Sequence, residues 1–312
     1  MSKNCFYCGS NHTIKKGRER GHQRWYCKDC KRYFIGIHKV STDKVCKVYT
    51  RGNQTALDLA EHFGVSCRTI YRRLSNKYVE SLPAVIGGSV VVMMDATYWG
   101  RSFGVVIMKD AITGSVLWFK FISKKETLAD YKEGLLWLKD HGYNIIATVG
   151  DGFKGLRTLL SGIPFQMCQF HQVQIVRTKL TLHPKLKASK ELLKLAQILC
   201  KTDKESFIGA FNEWEHKWDD FMKERSMDAD GKSHYVHKNL RSAYFSIKHN
   251  LPWLWTWYDH IELKIPNTNN ALEALNSSLK TKLNLHKGMS LEHRKCFIQD
   301  FLKAHKPNKQ RR

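Results

Sequence analysis

From Val85 the chain spells out three apolar strands before its first long helix, and that order limits the fold more than any other feature. The strands are "VIGGSVVVMMD", "FGVVIMKD" and "SVLWFKFIS", with the turn signal "DAITG" making a hairpin of the last two. A helix follows in "ETLADYKEGLLWLKDHGY", where Leu128, Tyr131, Leu135 and Leu138 recur at helical spacing. Next come the apolar strand "YNIIATVGD", a short helix around "FKGLRTLL" and a short strand in "IPFQMCQ". Strand, strand, strand, helix, strand, helix, strand predicts an α/β fold. Its mixed sheet would have an antiparallel hairpin on one side and parallel crossovers on the other.

Beyond the last strand the pattern turns helical. Residues 173–261 read as an all-α insertion with an aromatic core, since Trp214, Trp218, Trp253, Trp255 and Trp257 fall there. The final helical stretch, "TNNALEALNSSLKTKLNL", puts Leu272, Leu275, Leu279 and Leu283 on one stripe that would pack back on the sheet. Ahead of the sheet, residues 1–36 and 37–82 read as two small modules.

The first module carries Cys5 and Cys8, then Cys27 and Cys30: two C-x2-C pairs separated by a stretch long enough for a β-hairpin. Thiolates at this spacing close on one tetrahedral Zn²⁺, so one structural zinc is expected in a ribbon over residues 1–36. A redox C-x-x-C pair is the competing reading, but it needs no second pair. Lys15, Lys16, Arg18, Arg20 and Arg24 lie between the pairs with Trp25, a mixture suited to contact with a phosphate backbone.

The second module contains "TALDLAEHFGVSCRTIYRRL", where Ala60, Gly64 and Ile70 stand as a helix-turn-helix requires. The small residue lets the helices approach, the glycine makes the turn and the isoleucine packs the second helix on the first. Leu59, Phe63 and Val65 complete a small core, Ser66 caps the second helix, and Arg68, Thr69, Tyr71, Arg72 and Arg73 are offered to a DNA major groove. An ordinary helical hairpin shares the pattern; the three arginines favour DNA.

Charge supports the same partner. The 312 residues hold 52 Lys and Arg against 28 Asp and Glu, a formal +24, which suits a polyanion such as nucleic acid. No window is apolar enough for a membrane span and the N-terminus has no signal core, so no membrane partner and a reducing cytoplasm are expected. Nine Cys there are thiols or metal ligands rather than disulfides.

Three carboxylates then stand out: Asp95 at the end of an apolar strand, Asp151 after "YNIIATVG" and Glu273 in "TNNALEALN". Each has an ordinary reading. Asp95 can cap a turn, Asp151 can open the following helix, and Asn270 with Glu273 can form a capping box. In a mixed sheet, however, the first strand and the crossover strand are neighbours, which puts Asp95 beside Asp151. Like charges at such a distance repel unless a divalent cation lies between them, and a third carboxylate completes an oxygen site for Mg²⁺ or Mn²⁺.

Four ordered stretches, "MDATYWG", "VGDGFKGL", "QMCQFHQ" and "TNNALEALNSSLK", resemble the bacterial insertion-sequence DDE transposases of the Mutator-like superfamily, in the variant with an N-terminal zinc ribbon. The likeness spans nearly the whole chain. It implies an RNase H-like catalytic domain in two parts, 83–172 and 262–312, the second ending in a basic tail, interrupted by the helical insertion 173–261. It also implies that Asp95, Asp151 and Glu273 form the catalytic triad holding two Mg²⁺ or Mn²⁺ ions. Cys168 and His171 match the family's C-x-x-H element, for which structural, DNA-contacting and metal-binding roles stay open. Where relatives carry an arginine after the glutamate, this chain has Lys280 and Lys282, which keep the charge without the bidentate fork.

The resemblance implies a transposase that binds the terminal inverted repeats of an insertion sequence through its ribbon and helix-turn-helix, cleaves the strand ends and joins them to target DNA. A homodimer or larger synaptic complex would hold two double-stranded ends, with the insertion helping to grip them. A non-catalytic DNA-binding regulator, or an RNase H-like nuclease, are the alternatives. Tyr98 and Trp99 are expected to pack the end of the first strand.

Overall fold

The computed structural model describes residues 3–5, 7–35, 41–52, 54–75, 87–100, 103–286 and 289–305. The expected boundaries at 36/37 and 82/83, and the basic tail beyond residue 305, lie outside them. The chain divides into two compact units, Met1–Lys77 and Tyr78–Arg312.

The first unit opens with a three-stranded antiparallel sheet, β1 (Thr13–Glu19), β2 (His22–Cys27) and β3 (Tyr33–Ile35). Arg20 and Gly21, both with positive φ, turn β1 into β2. Such a small sheet buries little: Cys5, Trp25, Cys27 and Phe34 make up its core. Trp25 therefore faces inward instead of toward a phosphate backbone.

Three helices follow: α1 (Thr42–Arg51), α2 (Ala56–Phe63) and α3 (Cys67–Ser75). A reciprocal Thr55 and Asp58 capping box starts α2, and Gly64, with φ of 60°, ends it in the left-handed conformation that glycine adopts without strain. The Ser66 hydroxyl accepts from the Thr69 amide at the head of α3. Leu59, Ala60 and Ile70 are buried together with Val45, Cys46 and Tyr49 of α1, so a third helix completes the core of the expected pair.

The second unit is a mixed α/β domain whose five-stranded sheet has the order β6-β5-β4-β7-β8. Its strands are β4 (Gly88–Trp99), β5 (Phe103–Asp110), β6 (Val116–Ile122), β7 (Tyr143–Gly150) and β8 (Phe165–Met167), with α4 (Leu128–Asp140) and α5 (Leu156–Leu159) in the crossovers. β4 to β6 pair antiparallel, while β4, β7 and β8 run parallel. The Asp110 carboxylate accepts from the Ile112 and Thr113 amides and so closes the hairpin turn that "DAITG" predicts.

After β8 come α6 (Gln169–Leu180), α7 (Lys187–Ile198), α8 (Lys204–Lys223), the hairpin β9 (Arg225–Met227) and β10 (Ser233–Tyr235), α9 (Lys238–Leu254) and α10 (Thr256–Asp259). The stretch is therefore not all helical, and its first helix starts at Gln169. Aspartates and Gly231 break the helical pattern between α8 and α9, and the Asp228 carboxylate accepts from the Asp230 and Lys232 amides to make the turn. Phe207, Phe211, Trp214, Tyr244 and Trp255 are buried in one core that continues into Val90, Val92 and Met94 of the sheet.

Two final helices, α11 (Asn270–Leu285) and α12 (Leu291–Ala304), pack on strands β4 and β6. Leu272, Leu275, Leu279 and Leu283 of α11 are all buried, as their stripe predicts. Leucines fully withdrawn from water contribute about 1.5–3 kcal/mol each, enough to hold α11 in place and with it the residues it presents.

Candidate functional site

In the first unit the two cysteine pairs converge. Cys5 Sγ lies 3.5 Å from Cys30 Sγ, and Cys8 Sγ 3.6 Å from Cys27 Sγ. All four sulfurs fall within 4.8 Å of one another. Zn–S bonds of about 2.3 Å around a tetrahedral ion put sulfurs about 3.8 Å apart, so the cluster is compatible with a zinc ribbon. The β1–β2 turn is what brings the pairs together, each C-x2-C lying outside the hairpin or at its end.

Around this cluster Lys15, Lys16, Arg18 and Arg20 are exposed, while Arg24 is half-buried, 3.8 Å from Glu19 and 4.2 Å above the Tyr33 ring. On α3, Arg68, Tyr71 and Arg72 are exposed, and Thr69 and Arg73 half-buried.

In the second unit, β4 does not stop at Asp95. It runs on to Trp99 because β5 continues to pair with it, Asp95 opposite Ile107 and Trp99 opposite Phe103. On its other edge the parallel ladder with β7 ends at Met93 and Val149. Asp95 stands two residues further along β4, and Asp151 two residues further along the chain, just past the end of β7, so the parallel pairing stops where the two carboxylates arise. Burial, and then the neighbouring Asp151 carboxylate, push Asp95 up to about 7, with Glu126 and Glu273 adding to the repulsion. Asp95 thus feels the charges of Asp151, Glu126 and Glu273 together, Glu126 being one that sequence reasoning missed, while among the described residues the close group of possible metal ligands that includes one of these acids is Cys168, His171 and Glu273.

None of the ordinary roles accounts for these residues in full. The Asp151 carboxylate accepts from the Phe153 amide at 2.9 Å, a local turn, while Gly155 stands at the head of α5. Glu273 forms no capping box. The residue before α11 is Asn269, whose side chain turns away to donate to Met94 O at 3.0 Å. Glu273 is left with Oε1 buried and without a hydrogen bond, 3.7 Å from His171 Nδ1, which is also unbonded.

Several polar contacts fix α11 against the sheet. Asn276 donates to Asp95 Oδ2 at 2.8 Å, Lys109 to Ala271 O at 3.0 Å, and the Asn269 amide to Cys168 Sγ at 3.1 Å. Cys168, His171 and Glu273 hold ligand atoms within 4.8 Å of one another. Burial pushes the Cys168 thiol up to about 11, so it sits there neutral and serves as a hydrogen-bond partner to the start of α11. Beside the acids a cavity of about 370 Å³ opens, lined by Asp151, Phe153, His171, Gln174, Thr178 and Lys179 among others.

Asp95, Asp151 and Glu273 offer carboxylate oxygens here, and Asn276 a buried Oδ1 without a hydrogen bond. That chemistry fits a hard divalent cation such as Mg²⁺ or Mn²⁺. Asn276 also has a legible signal: it lies three residues after Glu273, on the same helical face.

No protein-family model and no curated protein matches this chain. Among solved structures, the Drosophila P element transposase strand transfer complex is similar at 14% identity with a TM-score of 0.36, over 88% of this chain and 80% of that one. A likeness this distant does not define the chemistry of the site. No helix among the described residues is long and apolar enough to cross a membrane.

Proposed function

We propose that the protein is a DNA transposase of the DDE type, with an RNase H-like catalytic domain. What supports the reading is that Asp95 on β4 feels the charges of Asp151, in the loop after β7, and of Glu273 on α11, and is hydrogen-bonded to Asn276 of that same helix. Asp95 bears a charge burden there that a cation would relieve.

Asp95, Asp151 and Glu273 would hold two Mg²⁺ or Mn²⁺ ions. When bound, such ions supply Lewis acidity for activating a water or a 3′-hydroxyl and stabilising the leaving oxygen of a phosphodiester. Asn276 orients Asp95 by its hydrogen bond, and Asn269, held by Met94 O and Cys168 Sγ, fixes the start of α11 so that Glu273 faces the same site. His171 stands 3.7 Å from Glu273 and lines the cavity, where it would meet the phosphate of a bound DNA end.

The ribbon would carry one structural Zn²⁺ and, with the three-helix module, bind the terminal inverted repeats. Lys15, Lys16, Arg18 and Arg24 would serve the phosphate backbone, and Arg68, Thr69, Tyr71, Arg72 and Arg73 the major groove. Two DNA ends must be joined in one reaction, which a homodimer or larger complex would accomplish in the cytoplasm. A DNA-binding regulator would have no need for the acids, whose mutual repulsion costs stability.

The test is a strand-transfer assay with purified protein, Mg²⁺ or Mn²⁺ and the DNA flanking its gene. Cleavage and joining are expected with the unaltered chain and are lost in Asp95→Ala and Asp151→Ala. Activity that persists in either variant overturns the mechanism.

A further inference from the structure

Glu126 lies in the charged stretch "SKKET", ahead of α4, where sequence alone suggests a solvated loop. Its surroundings are built rather than loose. The Tyr131 hydroxyl, in a side chain only 1% exposed, donates to Glu126 Oε2 at 2.8 Å. The Tyr98 hydroxyl accepts from the Glu126 backbone amide at 2.9 Å. Tyr98 can lie in that direction because Gly104 is its partner on β5: a Cβ at Gly104 would come within 2.6 Å of the tyrosine ring.

Two further contacts bring this segment onto the loop that carries Asp151. Leu128 fills the space over Gly155, where a Cβ would meet it at 2.6 Å. The Tyr131 ring packs 5.9 Å from Phe153, whose amide is bonded to Asp151. The glutamate is therefore anchored at both its backbone and its carboxylate, on residues that reach the strand of Asp95 on one side and the loop of Asp151 on the other. A side chain needed only for solubility would not be held in this way. An independent sign that the site expects a ligand is Asn276, 6% exposed, whose amide nitrogen is spent on Asp95 and whose buried Oδ1 has no hydrogen bond.

The geometry points to Glu126 as a fourth carboxylate of the divalent-cation site formed by Asp95, Asp151 and Glu273. Tyr98 and Tyr131 are the positioning residues that aim it. The assignment rests on the cation site of the proposed function, and it adds a ligand group beyond the three acids. It also gives Tyr98 a task beyond packing the strand end.

The experiment is calorimetric titration of Mn²⁺ into the full chain with its ribbon zinc in place, paired with thermal melts in EDTA. In Glu126→Gln the amide oxygen still accepts from Tyr131, so the fold is kept while the charge is lost. Mn²⁺ affinity should fall roughly 10- to 100-fold, or one fewer ion should bind per chain. In EDTA the same variant should melt above the unaltered protein, because one repelled charge is gone, a gain that a merely structural glutamate would not show. Should Glu126→Gln fail to fold, Glu126→Asp keeps the charge but draws the carboxylate back, and its Mn²⁺ affinity should fall as well.

Affinity within twofold of the unaltered chain at equal stoichiometry overturns the assignment, as does an unaltered chain that binds no Mn²⁺ at this site. A chain that binds Mn²⁺ through Glu126 yet neither cleaves nor joins DNA retires the transposase reading and leaves this one standing. An active transposase whose Glu126→Gln form binds Mn²⁺ normally does the reverse.

Discussion

The Asn276 side-chain amide donates to Asp95 Oδ2 at 2.8 Å, bonding the helix that carries Glu273 to the strand that carries Asp95 across 181 residues of sequence. The bond joins two acids that would otherwise have only charge in common, and charge drives them apart.

Replacing Asn276 by Leu should cost about 1–3 kcal/mol, since a buried acceptor is deprived of its donor. Urea melts of the metal-free chain measure this. If α11 is held chiefly by its leucines, strand transfer should fall far more than stability does, because Asp95 and Glu273 lose their shared alignment.

Asp95 should make stability, and the cation binding proposed above, depend on pH. Its folded value of about 7 lies above the ordinary 3.8, so the native state binds the extra proton. The contribution of this group to stability is then fully present below about pH 4 and is lost as pH rises through 7. Cation binding must expel that proton, so Mg²⁺ affinity should climb by up to roughly tenfold per unit of pH below 7 and level off above it. Melts of the metal-free chain and of Asp95→Asn across pH 4 to 8, with Mg²⁺ titrations at each pH, would show the slope vanish in the variant.

The ribbon should depend on its metal. With Cys5, Trp25, Cys27 and Phe34 as its core, it buries too little to stand alone. Metal analysis should find one zinc per chain, and Cys27→Ser or a strong chelator should expose Trp25, read as a red shift of its fluorescence after the other tryptophans are accounted for. A chain without zinc whose ribbon keeps its fold would refute the site.

Reversing charge at Arg68 and Arg72 should leave the three-helix core intact, because both side chains are exposed. Binding to the terminal repeat should lose its preference over random DNA. Altering Lys15 and Lys16 should instead weaken binding to all sequences alike and flatten its salt dependence by about one unit for each phosphate no longer neutralised. Gel shifts at several salt concentrations separate the two effects.

Much of the second unit is legible because its strands are plainly apolar and its turns plainly marked. The crossover through α4 returns β7 to the free edge of β4, which sets the strand of Asp95 beside the strand that leads to Asp151. What escaped had no local signature. β4 outlasts Asp95 because β5 supports it, a matter of pairing rather than composition. β9 and β10 are short and polar, with β9 wholly exposed, so no alternation announces them. The capping box at Glu273 failed because Asn269, not Asn270, ends as the cap, and its side chain is drawn to Met94 O. Glu126 sits in a run of charges, so nothing in the sequence announces the hydrogen bonds it makes with Tyr98 and Tyr131.

The excursion between sheet and final helices leaves and returns at one clasp. Gln169 at its start and Asn267 at its end are bonded by backbone and by side chain, each at 3.0 Å, while Gln166 and Gln169 both donate to Leu254 O. Glu273 lies just past that clasp, so its position is inherited from the sheet and not from the path of the long segment in between. Evolution could lengthen, shorten or replace that segment without moving the acid, leaving Glu273 constant while the surface around it is free to change.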